Sequence, residues 1–291
     1  EQDITDMLDF LYAHADISMK DMSGKESIPL QVLSFLEVET KQFIRCIFES
    51  YRRYQLKEIS EEVLQRTINQ LFEEISRKGS LLDVQINQKT TRKRVRELFR
   101  GKVSNVVWQG KICKWGLDKP RGYPGDYHML EMVYDPAPLL KGIGYYLDKS
   151  FREMPYPVAV KNRKNYMKNF LKEYINKKQE DIRILNLACG SCREIRELVS
   201  VFSGYPHAID ITLIDQDEEA LAYSRNYLAQ APSCFQLHFQ QENILKLMKT
   251  SEIKNTYDLV YSIGLADYLP DRILSLFISF CIKSLKRQGT F

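Results

Sequence analysis

"LNLACGSCREI", residues 185–195, is the stretch on which the fold turns. An apolar run meets a turn of small residues and then the start of a helical pattern, and Cys189 and Cys192 stand in that turn. Such a stretch reads as a redox dithiol, as half of a metal site, or as a ligand-cradling loop between a strand and a helix. The chain on either side separates the three.

From residue 181 onward short apolar runs alternate with helical patterns. "IRILNLA" (182–188), "AIDITLID" (208–215), "FQLHFQ" (235–240) and "YDLVYSIG" (257–264) read as strands. "REIRELVSVF" (193–202), "EEALAYSRNYL" (218–228) and "DRILSLFISFCIKSL" (271–285) read as the helices between and after them. Alternation of this kind predicts a parallel sheet covered on both faces, and right-handed crossovers make it doubly wound: an α/β fold.

The half before it reads helical. Phe43, Ile44, Ile47, Tyr51 and Tyr54 share one helical stripe; Val63, Leu64, Ile68, Leu71, Phe72 and Ile75 share another. Breaks are expected at "RKGS", at Gly101 and at "KPRGYPGDY", with irregular chain around "YDPAP" and "MPYPV". From Ala159 an amphipathic helix follows, with Tyr166, Met167, Phe170, Leu171, Tyr174 and Ile175 on its apolar face. The expected division is a helical N-terminal region, residues 1–158, and a ligand-binding α/β domain, residues 159–291.

Composition narrows the function. The net charge of +4, from 42 basic and 38 acidic side chains, is too small to point to nucleic acid. The one dense basic run, "RKRVR" (92–96), reads as a solvated helix face. No apolar run reaches the roughly 18 residues of a membrane span, and "EQDITDMLDF" lacks the pattern of a secretory signal. Six cysteines without scaffold spacing favour a reducing compartment, the cytoplasm. His14, His128, His207 and His238 are scattered and no second Cys-x-x-Cys exists, so no metal site is expected. Trp108 and Trp115 read as core.

The cysteine pair is weighed against Asp215, which closes the second strand 25 residues after Gly190. In a nucleotide-binding βαβ unit the first turn brings backbone N–H groups to the ligand, and an acid ending the second strand accepts from ribose hydroxyls. Gly190 suits the first role and Asp215 the second, with Asp217 as cap of the helix that follows. A dithiol oxidant has no use for that acid. The G-x-G-x-x-G dinucleotide pattern is not met, and a single-glycine turn suits a smaller, cationic nucleoside cofactor. Beyond the fourth strand, Asp267 and Tyr268 in "IGLADYL" are candidates to face an acceptor. The turn "RGYPGDY" displays Arg121, Tyr123, Asp126 and Tyr127 and reads as a lid, with Arg121 pairing a carboxylate and Asp126 or Tyr127 touching cofactor or acceptor.

These segments resemble the class I S-adenosylmethionine-dependent methyltransferases, whose sheet is Rossmann-like. "ILNLACGSCRE" resembles their first motif, with Asn186 in place of the acid and Ala188 and Cys192 in place of the outer glycines. "LIDQDEEAL" resembles the second motif, "FQQENIL" the third, "YDLVYSIGLADYLPD" the fourth strand and its edge, and "LKRQGTF" the lead-in to a fifth strand. The resemblance implies S-adenosyl-L-methionine as cofactor, bound by Ala188, Cys189, Gly190, Asp215, Gln216, Asn243, Ile244 and Ile263. It places the acceptor beside Asp126, Tyr127, Asp267 and Tyr268 as catalytic candidates, with Arg121 and Tyr123 as substrate-binding ones. It also implies a further helix and two strands beyond Phe291. More narrowly, "KPRGYPGDYHMLEMVYD" followed by "LACGSCRE" and "YSIGLADYL" resembles bacterial methyltransferases of 3-hydroxy fatty acid methyl ester synthesis, a quorum-signal pathway. That implies a small-molecule acceptor carrying an acyl carboxylate. A homodimer through the N-terminal helices is expected. Two other readings stay open: a nucleoside-binding regulatory module without turnover, and a dithiol oxidoreductase.

Overall fold

The structure, a computed structural model, describes residues 29–123, 125–250 and 253–291; His14 lies outside them. The chain packs as two compact units: residues up to 124 with 136–157, and residues 125–135 with 158–291.

The first unit is helical: α1 (Leu30–Ser34), a π-helical stretch (Phe35–Glu39), α2 (Thr40–Gln55), α3 (Glu61–Gln85), α4 (Lys89–Val107), α5 (Lys111–Asp118) and, after the excursion of 125–135, α7 (Ile143–Glu153). Its core gathers Phe43, Ile47, Leu64, Ile68, Phe72, Leu98, Val106 and Leu147. The predicted stripes hold except at Val63, which is exposed, and at Ile44, Tyr51, Tyr54 and Leu71, which are half-buried against the core. Ser60 caps α3 by accepting from the Val63 N–H at 3.3 Å, and the carboxylate of Asp148, on α7, accepts from the N–H groups of Lys111 and Ile112 at the start of α5.

Neither glycine breaks a helix as expected. α3 runs through Gly79 because Phe72, Ile75 and Leu82 bury the face on either side of it, and α4 runs through Gly101 because Leu98, Val103 and Val106 bury the face beside it. Trp108, read as core, is 47% exposed and lies under the Lys114 ammonium at 5.4 Å. In "RKRVR" Arg96 pairs with Asp83 and Arg92 donates to the Ile86 carbonyl, so that face ties α4 to the end of α3.

The second unit holds α6 (Tyr127–Tyr134) and all of α8 (Pro155–Lys178) from Val158 on. α8 starts four residues before the predicted Ala159, since prolines are tolerated in a first turn whose N–H groups have no intrahelical partner. Tyr166, assigned to its apolar face, is 71% exposed. The sheet follows: β1 (Ile182–Leu187), β2 (Ile209–Asp215), β3 (Phe235–Gln241), β4 (Tyr257–Tyr261) and β5 (Leu285–Thr290). Its order is β3-β2-β1-β4-β5, with every pairing parallel. Ile182 and Ile184 of β1 point into one core with Ile211, Leu213 and Leu259, and Leu185 and Leu187 into the other with Ile214, Val260 and Phe277. That alternation is the two-faced burial a parallel strand requires.

Between the strands lie α9 (Arg193–Arg196), a 3-10 turn (Val199–Phe202), α10 (Glu218–Leu228), α11 (Ile244–Thr250), a 3-10 turn (Leu265–Tyr268) and α12 (Asp271–Ser284). The helix expected over 193–202 is thus broken in two. Ile195, Leu198 and Phe202, which carry its pattern, are all buried, and a 3-10 turn serves their spacing as well. "LKRQGTF" is the fifth strand itself. No described helix is long and apolar enough to cross a membrane.

Candidate active site

Strand order reverses between β1 and β4, and ligands of doubly wound sheets bind where that reversal opens a crevice at the carboxyl ends of the strands. The turn after β1 lies there. Ala188 (φ 56°), Gly190 (φ 53°) and Cys192 (φ 49°) all adopt the left-handed conformation. These are the three positions at which the resemblance places glycines, so the backbone of a three-glycine turn is held with one glycine.

Neighbours hold that turn from several sides. The Gly190 N–H donates to Asp215 Oδ2 at 2.8 Å, and the Gly190 carbonyl accepts from Ser224 Oγ at 3.0 Å. The Cys189 N–H donates to the Ile214 carbonyl at 3.0 Å, prolonging the ladder. Asp215 Oδ1 takes the Asp217 N–H at 2.9 Å, and Asp217 caps α10. Burial raises the Asp215 carboxyl above its ordinary range, while its backbone hydrogen bonds favour ionisation. The carboxylate's remaining lone pairs can accept further donors, such as a ribose diol would supply.

Glu131 of α6, absent from the sequence-derived candidates, is the hub beneath the turn. Its carboxylate accepts from Ser191 Oγ (2.6 Å), Arg193 Nη1 (2.9 Å), Arg196 Nη1 (3.0 Å) and Tyr223 OH (3.1 Å). A second carboxylate, Glu197, gathers Lys164, Lys168 and Arg193. Burial works against its ionisation, but those cations outweigh burial and hold the carboxyl at about 2. A third, Glu194, is buried against Asn186 and Tyr261.

The other predicted residues are placed as follows. Asn243 caps α11, its Oδ1 accepting from the N–H groups of Leu245 and Lys246, while its Nδ2 donates to Gln216 Oε1 at 2.9 Å. Ile244 is buried and Ile263 half-buried. Asp126 is fully buried and caps α6 by accepting from the Met129 N–H at 2.9 Å. Tyr127 stacks at 5.4 Å on Tyr223. Asp267 is exposed and pairs with Arg163 Nη1 at 2.9 Å, and Tyr268 packs its hydroxyl against Gly125. Arg121 and Tyr123 fall in the first unit and are half-buried there. The structure therefore joins Gly190 to Asp215 and Gln216 to Asn243.

Cys189 and Cys192 are buried and unpaired. Burial, with Cys192 beside it, drives the Cys189 thiol well above its ordinary value, opposite to what a reactive dithiol needs. Among the described residues no group of three or more His, Cys, Asp and Glu is arranged to hold a metal.

The site fits S-adenosylmethionine on its own chemistry. Nothing lies within 4 Å of the point where a Gly190 side chain would begin, so the turn is open to close approach. Asn186 Oδ1 is buried and has no partner, an acceptor suited to a cationic donor. Asp215 suits the ribose.

Residues 178–291 match a family model described as a methyltransferase domain. No curated protein sequence matches the chain. Among solved structures, a possible exported protein from Bordetella parapertussis is similar at 17% identity over 94% of this chain and 73% of that one, with a TM-score of 0.45. A SAM-dependent methyltransferase from Archaeoglobus fulgidus is similar at 18% identity over 43% of this chain and 50% of its own, TM-score 0.32. Magnesium protoporphyrin IX methyltransferase from Synechocystis, solved with SAM bound, is similar at 14% identity over 53% and 64%, TM-score 0.37. From the end of α8 to Phe291 the chain is thus similar to a methyltransferase domain, laid on a parallel α/β sheet.

Proposed function

We propose that this chain transfers a methyl group from S-adenosylmethionine to a small molecule, and that the acceptor atom is the carboxylate of a 3-hydroxy fatty acid. The observation that carries the cofactor half is the Gly190 N–H to Asp215 hydrogen bond beneath an open turn. It aligns backbone for close approach and aims a carboxylate at a diol. The acceptor half is supported by the resemblance of "KPRGYPGDYHMLEMVYD" to bacterial enzymes of quorum-signal ester synthesis.

The bound cofactor supplies a methyl group on a positively charged sulfur, open to direct displacement. The residues supply position and field. Asp215, with Gln216 and Asn243 at the ends of β2 and β3, holds the nucleoside; Ala188, Cys189 and Gly190 form its floor, and Ile244 and Ile263 its apolar edge. A carboxylate acceptor is ionised near neutral pH and asks no general base of the site. Asp267, tied to Arg163, then orients the acceptor edge with Tyr268 and Tyr127.

The test is calorimetric titration of S-adenosylmethionine and S-adenosylhomocysteine into the protein and its Asp215→Ala variant, followed by methyl transfer to 3-hydroxy fatty acids. Saturable binding lost in the variant, with ester formed, is expected. Absence of binding by the folded wild type sinks the whole reading. Binding with no ester sinks the acceptor and, if no other small molecule is methylated, leaves a nucleoside-binding module. The proposed homodimer is read from sedimentation of the same samples.

A further inference from the structure

Glu194 is a buried carboxylate with no part in the function just proposed. It is 4% exposed, and its Oε1 accepts from Tyr261 OH at 2.9 Å and from Asn186 Nδ2 at 3.1 Å. Asn186 Nδ2 also donates to Tyr261 OH at 2.9 Å, closing a triangle of three buried side chains. Asn186 Oδ1, beside them, is the acceptor without a partner.

Among the described residues no cation is hydrogen-bonded to Glu194, and Lys164 acts on it only as a neighbouring charge. The other titratable groups around it are Tyr261 of β4, Tyr134 of α6, Cys189 and Cys192 of the turn, and Lys164 of α8. The Lys164 ammonium is bonded to both oxygens of Glu197, at 2.7 and 2.6 Å. A buried carboxylate served only by neutral donors is costly to ionise. Burial accordingly pushes the Glu194 carboxyl upward.

Position gives this charge a use. Asn186 and Tyr261 are register partners across β1 and β4, where strand order reverses. Asp215 stands on the other side of β1, at the end of β2. A ligand with its ribose at Asp215 that lies across the 188–192 turn brings its far end to the β1–β4 side. In S-adenosylmethionine that end is an amino acid with an ammonium group. The first motif, with Asn186 in place of an acid, offers no charge of its own to meet it.

We propose that Glu194, with Asn186 Oδ1, receives the ammonium end of the cofactor and supplies the carboxylate that the first motif lacks. The inference rests on the proposed function and deepens it.

Three probes separate the two: S-adenosylmethionine, S-adenosylhomocysteine, and 5′-methylthioadenosine, which has the nucleoside but no amino-acid end. Each is titrated calorimetrically into wild type, Glu194→Gln and Asp215→Ala. Glu194→Gln, close in shape, is expected to weaken the first two by about 10- to 100-fold, the range for a lost charged hydrogen bond, and to leave 5′-methylthioadenosine within about twofold. Asp215→Ala weakens all three. Equal weakening of all three by Glu194→Gln, or of none, overturns the inference and leaves the cofactor standing. Failure of all three to bind wild type overturns the function itself. Should Glu194→Gln not fold, the same probes are titrated into wild type at successively lower pH instead. Preference for S-adenosylhomocysteine over 5′-methylthioadenosine must fall with pH as the carboxylate takes its proton, and a constant preference overturns the inference.

Discussion

Ala188 and Cys192 show how much backbone a single residue can be made to hold. A side chain at positive φ costs roughly 1–2 kcal/mol, and both residues sit there beside Gly190. Ala188→Gly removes that strain but frees the unfolded chain by a comparable ~0.5–1 kcal/mol. Urea denaturation is therefore expected to show a change within about 1 kcal/mol. Gly190→Ala is different. The added methyl meets no protein atom within 4 Å, so the fold loses only the ~1–2 kcal/mol of the strained backbone. The methyl occupies the space through which the cofactor is proposed to approach, so calorimetry should show affinity falling at least tenfold; unchanged affinity would place the cofactor elsewhere.

Between elements, α6 and α8 tie the turn and the residues after it from outside the sheet. Glu131 links α6 to the turn and to α9 and α10 through four donors. Glu131→Gln leaves Arg196 short of a charged partner, and Arg193 with Glu197 alone, in a site where the carboxylate is 11% exposed. A loss on the order of 2 kcal/mol is expected from chemical denaturation, with weaker cofactor binding because the turn loosens. Glu197 gives these elements an acid sensitivity. Its carboxyl is depressed from 4.5 to about 2 in the fold, so its stabilisation is complete above pH 4.5 and is lost as pH falls from there through 2. Glu197→Gln should flatten stability against pH in that window while lowering it at neutral pH. An acid limb as steep as wild type would show that other groups set it.

On the scale of the whole molecule, each unit has a core of its own, one built by α2, α3, α4 and α7 and the other by the two faces of the sheet. Two cores predict two unfolding steps in calorimetry, with S-adenosylhomocysteine raising only the step that belongs to 125–135 and 158–291. A single transition raised as a whole would show the units unfold together. The alternation of strand and helix after 181 determined the parallel sheet by itself, because the central strands, buried on both faces, are largely apolar and each crossover needs a helix. The same local logic marked Gly190 and Asp215, which the fold joins by a hydrogen bond where two strands end. What tertiary structure alone decided are the contacts between residues far apart in the chain. Glu131 reaches Ser191 across 60 positions and Tyr223 across 92, and no pattern within one segment encodes such a meeting. It also gave Asp126 to a helix cap, left Trp108 half in water and closed Asn186, Glu194 and Tyr261 into one buried triangle. In each case packing, which the periodicity of a single element does not contain, set the environment of the side chain.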